Sequence, residues 1–370
     1  VNRAGSPLDA IDRAPDEVAA ALPEADYRFA PETPEALAGL LLAASDARAA
    51  VLVWGAGTHQ AIGCPVAPAV VISTARLDRV VAWEPDDLTV VVEAGVTVGA
   101  LEVMLAEKRQ TAALPETMPQ ATVGGVVAAG LSGYRRARFG PTRDRMLEVD
   151  LVTGDGRHVR GGGRVVKNVT GYDLPRLATG SLGSLGVITS MCLKLWPLAE
   201  RSVTVTVDDP ARARSSVYRP LAVLETHSGG FVYLQGTGAE VEAQARRLGG
   251  AVVDSLVWPE VPAGDVCLSL RVPPALVGEA IRRLPPGPFV AQHGVGEISL
   301  APAGWDADHL LTLRTWAESQ GGTLVRLRGE TPAGFDPWGS PPAGLALQRR
   351  LMAAFDPARI LNPGRMAGMT

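Results

Sequence analysis

Residues 161–188 read GGGRVVKNVTGYDLPRLATGSLGSLGVI and hold seven glycines. Among them stand Lys167, Asn168, Tyr172 and Asp173, all able to donate or accept hydrogen bonds. So many glycines suit neither helix nor strand; they serve positive φ or the close approach of backbone to a ligand. Gly171, Gly183 and Gly186 are the ones nearest the polar groups and the apolar run that follows. That run, 187–196, reads as a buried strand. A loop wrapped around a large cofactor and anchored by the next strand accounts for both halves. A flexible linker would lack the apolar flanks.

Two earlier stretches have the same character. A short apolar strand at 50–54 leads directly into Gly55-Ala56-Gly57-Thr58-His59 and then Gly63. Consecutive backbone N–H groups after a strand can form an anion nest. The dinucleotide fingerprint GxGxxG fails here, because Gln60 stands in place of the third glycine and Pro65 cuts off a long helix. No Gly-Lys-Ser/Thr follows, so a P-loop fails too. Further on, Leu114-Pro115-Glu116-Thr117 precedes Thr122-Val123-Gly124-Gly125, and small residues continue to Gly130. This suits a short helix whose start approaches a ligand. Arg135, Arg136, Arg138, Arg143 and Arg145 then crowd eleven residues, as either a solvated surface or a phosphate or partner contact.

The elements that must position these loops are readable in part. Thr33 caps a helix with Pro34 at its first position, running to about residue 44. Strands are expected at 70–73, 79–83 and 88–93, the last two joined by a turn at Pro85-Asp86-Asp87. Thr97 caps a helix over 98–109. Gly154-Asp155-Gly156 closes a hairpin between 147–153 and 157–160. A chain of 370 residues can bury two cores. Its net charge of -4 and pI near 5.8 argue against a nucleic-acid partner. Cys64, Cys192 and Cys267 form neither a disulfide framework nor a metal cluster. No apolar run reaches transmembrane length and the first residues have no signal-peptide core, so a cytoplasmic protein is expected.

Three glycine loops in this order resemble the FAD-binding domain of the vanillyl-alcohol oxidase and p-cresol methylhydroxylase (PCMH) superfamily. KNVTGYDL with GSLGSLGVIT looks most like the FAD-binding subunits of bacterial glycolate oxidases. Leu361-Asn362-Pro363-Gly364-Arg365 also fits, and the resemblance spans the whole chain. It implies that Gly55, Ala56, Gly57 and Thr58 wrap the FAD diphosphate, with His59 and Gly63 in the same loop. It implies that Pro115, Thr122, Gly124 and Gly125 run along the phosphates and flavin, and that Gly183, Gly186, Val187 and Ile188 run beside the cofactor. Lys167, Asn168, Gly171, Tyr172 and Asp173 belong to the same cofactor loop, and Asn362 returns towards the flavin. Some members tether the flavin through a histidine in the first loop; here Thr58 stands at that place, so FAD is expected without a covalent bond.

From residue 201 the pattern changes. Strands are expected at 231–235, 251–257, 265–272, 289–293 and 323–327, and helices at 239–248, 274–284, 306–319 and 345–355. EAQARRLGGAVV and TWAESQGGTLV are both helix, Gly-Gly, strand. The expected fold is α+β: a PCMH-type FAD-binding domain of two α/β subdomains over 1–200, and an α+β cap with an antiparallel sheet and helices on one face over 201–335. A C-terminal segment over 336–370 returns to the FAD domain. Related 2-hydroxy-acid dehydrogenases carry a His-x-Gly-Asp-Gly-Asn-x-His type metal motif in the cap. Here only Gln292-His293-Gly294-Val295-Gly296-Glu297 stands, with Leu300 at the second histidine, so no metal is expected.

His293 and Arg271 are the candidates for catalysis, and His227 could approach them from another strand end. The resemblance implies an FAD-dependent subunit of a complex that oxidises glycolate. A sister flavin subunit and an iron–sulfur subunit would be its partners, holding it in the cytoplasm or at the inner face of the membrane. A stand-alone 2-hydroxy-acid dehydrogenase of D-lactate type and a scaffold without catalysis are the alternatives.

Overall fold

The computed structural model describes residues 6–165, 171–304, 306–331, 334–366 and 368. Three larger sheets organise them, beside a two-stranded pair of Gln110–Thr111 with Trp196–Pro197. The first is small and parallel, in the order Tyr27–Phe29, Val70–Ser73, Val51–Trp54. Helix Pro34–Asp46 packs on it. Thr33 Oγ1 accepts from Ala36 N at its start, and Leu37, Leu40, Leu41 and Ala44 recur at helical spacing on the buried face. Their core takes in Phe29, Val51, Val70 and Ile72. Removing one such side chain, as in Leu41→Ala, costs about 2–5 kcal/mol.

The second sheet is antiparallel, in the order Val80–Glu84, Thr89–Glu93, Val187–Lys194, Met146–Val152, His158–Gly162. Helices Val98–Ala106 and Val123–Ala129 bury Leu101, Leu105, Val123, Val126 and Val127 against it. The C-terminal segment returns to the first sheet, where Leu361 bridges Val51 and Asn362 N donates to Val51 O.

The third sheet has eight strands, every neighbouring pair antiparallel: Val252–Val253, Arg201–Val207, Gly229–Gly236, Ala222–Thr226, Phe289–Gln292, Glu297–Leu300, Cys267–Arg271, Thr323–Arg328. Side chains alternate between its faces. Val205, Val223, Val232, Ala291, Ile298 and Leu270 point to one face. Helices Pro210–Ser216, Gly238–Leu248, Val277–Ile281 and Ala307–Ser319 cover them. Leu224, Tyr233 and Val290 point to the other face and pack with Tyr134 and Phe139.

Strands Arg201–Val207, Ala222–Thr226 and Glu297–Leu300 were not expected. The strand expected over 251–257 shrinks to Val252–Val253. Beyond it the Thr204 hydroxyl takes over from the ladder, accepting from Val257 N and donating to Ser255 O. The helix expected over 274–284 is a 3-10 turn, Pro274–Leu276, and one short helix, Val277–Ile281. Pro285 and Pro286 then bar continuation.

Candidate functional site

The three glycine loops meet in one cleft. Gly55, Ala56, Gly57, Thr58 and His59 line it from the first loop, Thr122, Gly124 and Gly125 from the second, and Gly183, Gly186 and Ile188 from the third. The second loop is held by its own start. Thr122 Oγ1 accepts from Gly125 N, while Val123 N and Gly124 N donate to Val96 O and Ala94 O. A Cβ on Gly124 would fall 2.6 Å from that of Ala94, so glycine is what allows the helix start to press against the strand end. Here the close approach is chain to chain.

Two buried polar atoms on the cleft wall have no hydrogen-bond partner, His59 Nε2 and Arg365 Nε. Burial pushes the His59 imidazole down to about 4, so it is neutral at pH 7. Burial also lowers Arg365, a guanidinium that still remains cationic at pH 7. Backbone loops, a buried cation and an apolar floor fit FAD, whose diphosphate is anionic and whose ring needs an apolar slot. The cleft has a volume of about 70 Å³.

Other expected residues stand beside the cleft or away from it. Asn362 is buried behind it, accepting from Val53 N and donating to Leu182 O across the chain. Val187 points into the core of the first sheet, opposite to Ile188, as strand alternation requires. Gly63 lies under Trp338, and its carbonyl accepts from Arg326 Nη2 at 2.6 Å. Pro115 is buried against Gly133. Tyr172 is 91% exposed, and Asp173 caps helix Leu174–Ala178 through Arg176 N, so neither reaches the cleft, nor does Gly171 beside them. Lys167 and Asn168 lie outside the described residues. Gln60 and Arg365 line the cleft without having been assigned to it, although both stand in motifs that the sequence displays.

A second cavity of about 250 Å³ adjoins the first, sharing Ala129 and Leu182 with it. It lies between residues 129–143 and 179–182 on one side and the open face of the large sheet on the other. Arg136 and Arg143 line it from one side, and Ser269, Arg271, Val325 and Leu327 from the other. Glu297 bridges the two sides, 3.0 Å from Arg136 Nη1 and 3.4 Å from Arg271 Nη2.

The arginine cluster is thus divided. Arg135 and Arg145 turn inward: Arg135 Nη2 donates to Leu114 O, and Arg145 to Ala113 O and Gly140 O. Arg138 lines a separate surface hollow beside Arg219. His293 is not at this cavity. Its Nε2 is 2.6 Å from Glu225 Oε2, and Glu225 shares a face with Val223 and Ala291, the face that the helices cover. Strand alternation therefore puts His293 on the helix-covered face of the sheet, away from the second cavity. His227 lines neither cavity.

Among known proteins, residues 25–162 match the FAD binding domain family. The chain is 29% identical over 335 residues to the glycolate oxidase subunit GlcE of Escherichia coli (strain K12), covering 85% of this chain and 92% of that one. To GlcD of Bacillus subtilis (strain 168) it is 30% identical over 182 residues, 49% of this chain and 39% of GlcD. An alkyldihydroxyacetonephosphate synthase has the same fold, with a TM-score of 0.64 at 15% identity over 94% of this chain and 78% of that one. A parallel and an antiparallel sheet holding a glycine-lined cleft, with a large antiparallel sheet beside it, complete the correspondence. Residues 25–162 thus resemble a FAD binding domain, and the chain as a whole is similar to FAD-linked oxidoreductases, GlcE among them.

Proposed function

We propose that the chain is the FAD-binding subunit of a glycolate-oxidase-type complex. In it, glycolate is oxidised to glyoxylate and electrons pass to a sister flavin subunit and an iron–sulfur subunit. The observation that carries this reading is the length of the likeness to GlcE, which runs through nearly all of that subunit and not only its flavin domain. Residues 1–200 would form the FAD unit, 201–335 the cap, and 336–370 the return. The cytoplasm, or the inner membrane face through partners, is the setting this reading gives it. No helix among the described residues is long and apolar enough to cross a membrane.

Bound FAD would supply a hydride acceptor. This chain's own residues would hold it, the first loop around the diphosphate and Ile188 and Ala128 along the ring. No covalent link is expected: Thr58 occupies the tethering place, and acid precipitation should leave the yellow colour in the supernatant.

The second cavity favours the alternative of a stand-alone 2-hydroxy-acid dehydrogenase, in which Arg136, Arg143 and Arg271 would anchor a carboxylate. Oxidation also needs a base for the hydroxyl proton. Among the described residues lining that cavity there is no Asp, Glu, His, Lys or Tyr, and the Glu297 carboxylate at its edge is held by Arg136 and Arg271. His59, in the adjoining cleft, is held near 4 and is a weak base. Losing a positioned base costs roughly 10²–10⁴-fold. The test is anaerobic mixing of the flavin-loaded chain with glycolate or D-lactate. Slow or absent bleaching alone, and turnover once sister subunits are added, is expected. Rapid bleaching by the isolated chain would establish the dehydrogenase instead, and a purified chain without a flavin band would leave the scaffold.

A further inference from the structure

Three arginines are buried among the described residues, and only one of them lacks an anion. Arg145 has the carboxylates of Glu116 and Glu102 close enough to favour its charge, and Arg314 has Glu318 and Asp336. Arg365 is 5% exposed, and no carboxylate of a described residue pairs with it. Its Nη1 and Nη2 donate to Gln60 Oε1 and Gln60 O, both at 2.7 Å, and its Nε donates to nothing. A buried charge with no counter-charge is costly. A chain that keeps one on a cleft wall implies an anion that arrives from outside.

We propose that Arg365 is the counter-charge to the diphosphate of the bound dinucleotide, and that this subsite selects a dinucleotide over a flavin without one. The proposal rests on the FAD reading above. In oxidised FAD the formal charge sits on the diphosphate, so a desolvated cation is matched there and not at the ring. Gln60 connects the two partners: it carries the guanidinium on its carbonyl and amide oxygens and ends the loop that begins at Gly55. Gln60 Nε2 is itself fixed on Val53 O at 2.9 Å, so the guanidinium is held in place before any ligand binds. The backbone of Arg365 is fixed as well, its carbonyl accepting from Trp338 Nε1 at 2.9 Å and from Cys64 N at 3.2 Å. A planar guanidinium so oriented can present Nε to a phosphate oxygen.

The test uses the full chain stripped of flavin, titrated with FAD, ADP and riboflavin, in wild type, Arg365→Met and Arg365→Lys. A charge-assisted hydrogen bond of this kind predicts roughly 10- to 100-fold weaker binding of FAD and ADP to Arg365→Met. Riboflavin affinity should change less than about twofold, Arg365→Lys should recover most of the loss, and the dependence of FAD affinity on salt should flatten in Arg365→Met. The melting midpoint of each ligand-free variant controls for damage to the Gln60 loop. Equal losses for FAD and riboflavin would make Arg365 a loop support and overturn the proposal. So would unchanged FAD affinity with a shifted flavin reduction potential, which would place it at the ring. If wild type binds neither FAD nor ADP, the cofactor reading falls first; if wild type binds FAD and Arg365→Met binds it equally, the subsite alone falls.

Discussion

The first-loop cleft and the cap hairpin around residues 292–297 look alike as sequence. Each has a histidine, positive-φ glycines and a nearby charged residue. In the cleft, His59 Nε2 and Arg365 Nε are buried and unpaired. In the hairpin, His293 is closed by Glu225, and Glu297 is closed by Arg136 and Arg271. Gln292 Oε1 is an exception, unpaired yet lining neither cavity. Buried polar groups are nearly always hydrogen-bonded. Glu102 Oε1, Asp356 Oδ1 and the Nε atoms of Arg145, Arg214, Arg314 and Arg326 are unpaired elsewhere, and what sets His59 Nε2 and Arg365 Nε apart is that both residues line the glycine-loop cleft. The contrast sets the cleft proposed to hold the cofactor against a hairpin closed by its own ion pairs.

The largest effect that could break this contrast is expected from Gly57→Val. Gly57 has φ +75°, where a β-branched residue is strained, and a Cβ there would fall 2.6 Å from the Trp54 ring. The steric wall that the structure shows is therefore Trp54. The loop must move, at about 2–4 kcal/mol, and bound flavin should drop below detection while the cap sheet stays folded. The flavin-to-protein absorbance ratio, read beside circular dichroism, checks this. Full occupancy in the variant would show that the cofactor does not use this loop.

Legibility followed the range of the interaction. Helix Pro34–Asp46 was readable because its cap, Thr33, and its buried leucines are local. That residues 55, 124 and 186 share one cleft came from the order of the loops and their resemblance to a flavin domain; no local pattern encodes it. The side of the sheet that His293 faces depends on pairing with Ala222–Thr226, a strand that the apolar pattern does not reveal. The arginine cluster spans one short helix and one 3-10 turn, Arg136–Phe139 and Thr142–Asp144, with the inward Arg135 and Arg145 at their caps, so neither helical nor strand period could sort inward from cavity-facing members. Arg365 stood in view beside Asn362, but its burial comes from Gln60, 305 positions away.

A smaller effect sharpens the cleft's side of the contrast through pH. His59 has an ordinary value near 6.5 unfolded and about 4 folded. Above pH 6.5 it is neutral in both states and adds nothing to the pH dependence. Between 6.5 and 4 the unfolded chain takes up a proton that the folded chain refuses, so ligand-free stability falls as the pH falls. The loss should reach about 2 kcal/mol by pH 4, somewhat below the full linkage value because the ring keeps some contact with solvent. Denaturant midpoints across that range should show this slope in wild type and a flatter one in His59→Gln. Matching slopes would mean that His59 is already solvated or paired.

The smallest effect concerns the hairpin, and it is the one that a purely architectural reading most needs. Glu297 joins Arg136, on the flavin side, to Arg271 of the large sheet. Glu297→Gln keeps the size of the side chain and removes its charge, leaving two guanidiniums near one cavity without their shared carboxylate. Were all three groups buried, breaking such a bridge would cost several kcal/mol. They are not: Arg271 is about half exposed and Arg136 nearly a third, so water screens both the lost attraction and the new repulsion. The expected cost is about 1 kcal/mol in the denaturant midpoint, fading with added salt. Flavin content should stay at the wild-type level, since no part of this bridge lines the first cleft. Loss of flavin in Glu297→Gln would show that the two regions are not separable, with the cap hairpin holding the cofactor cleft in shape from across the interface.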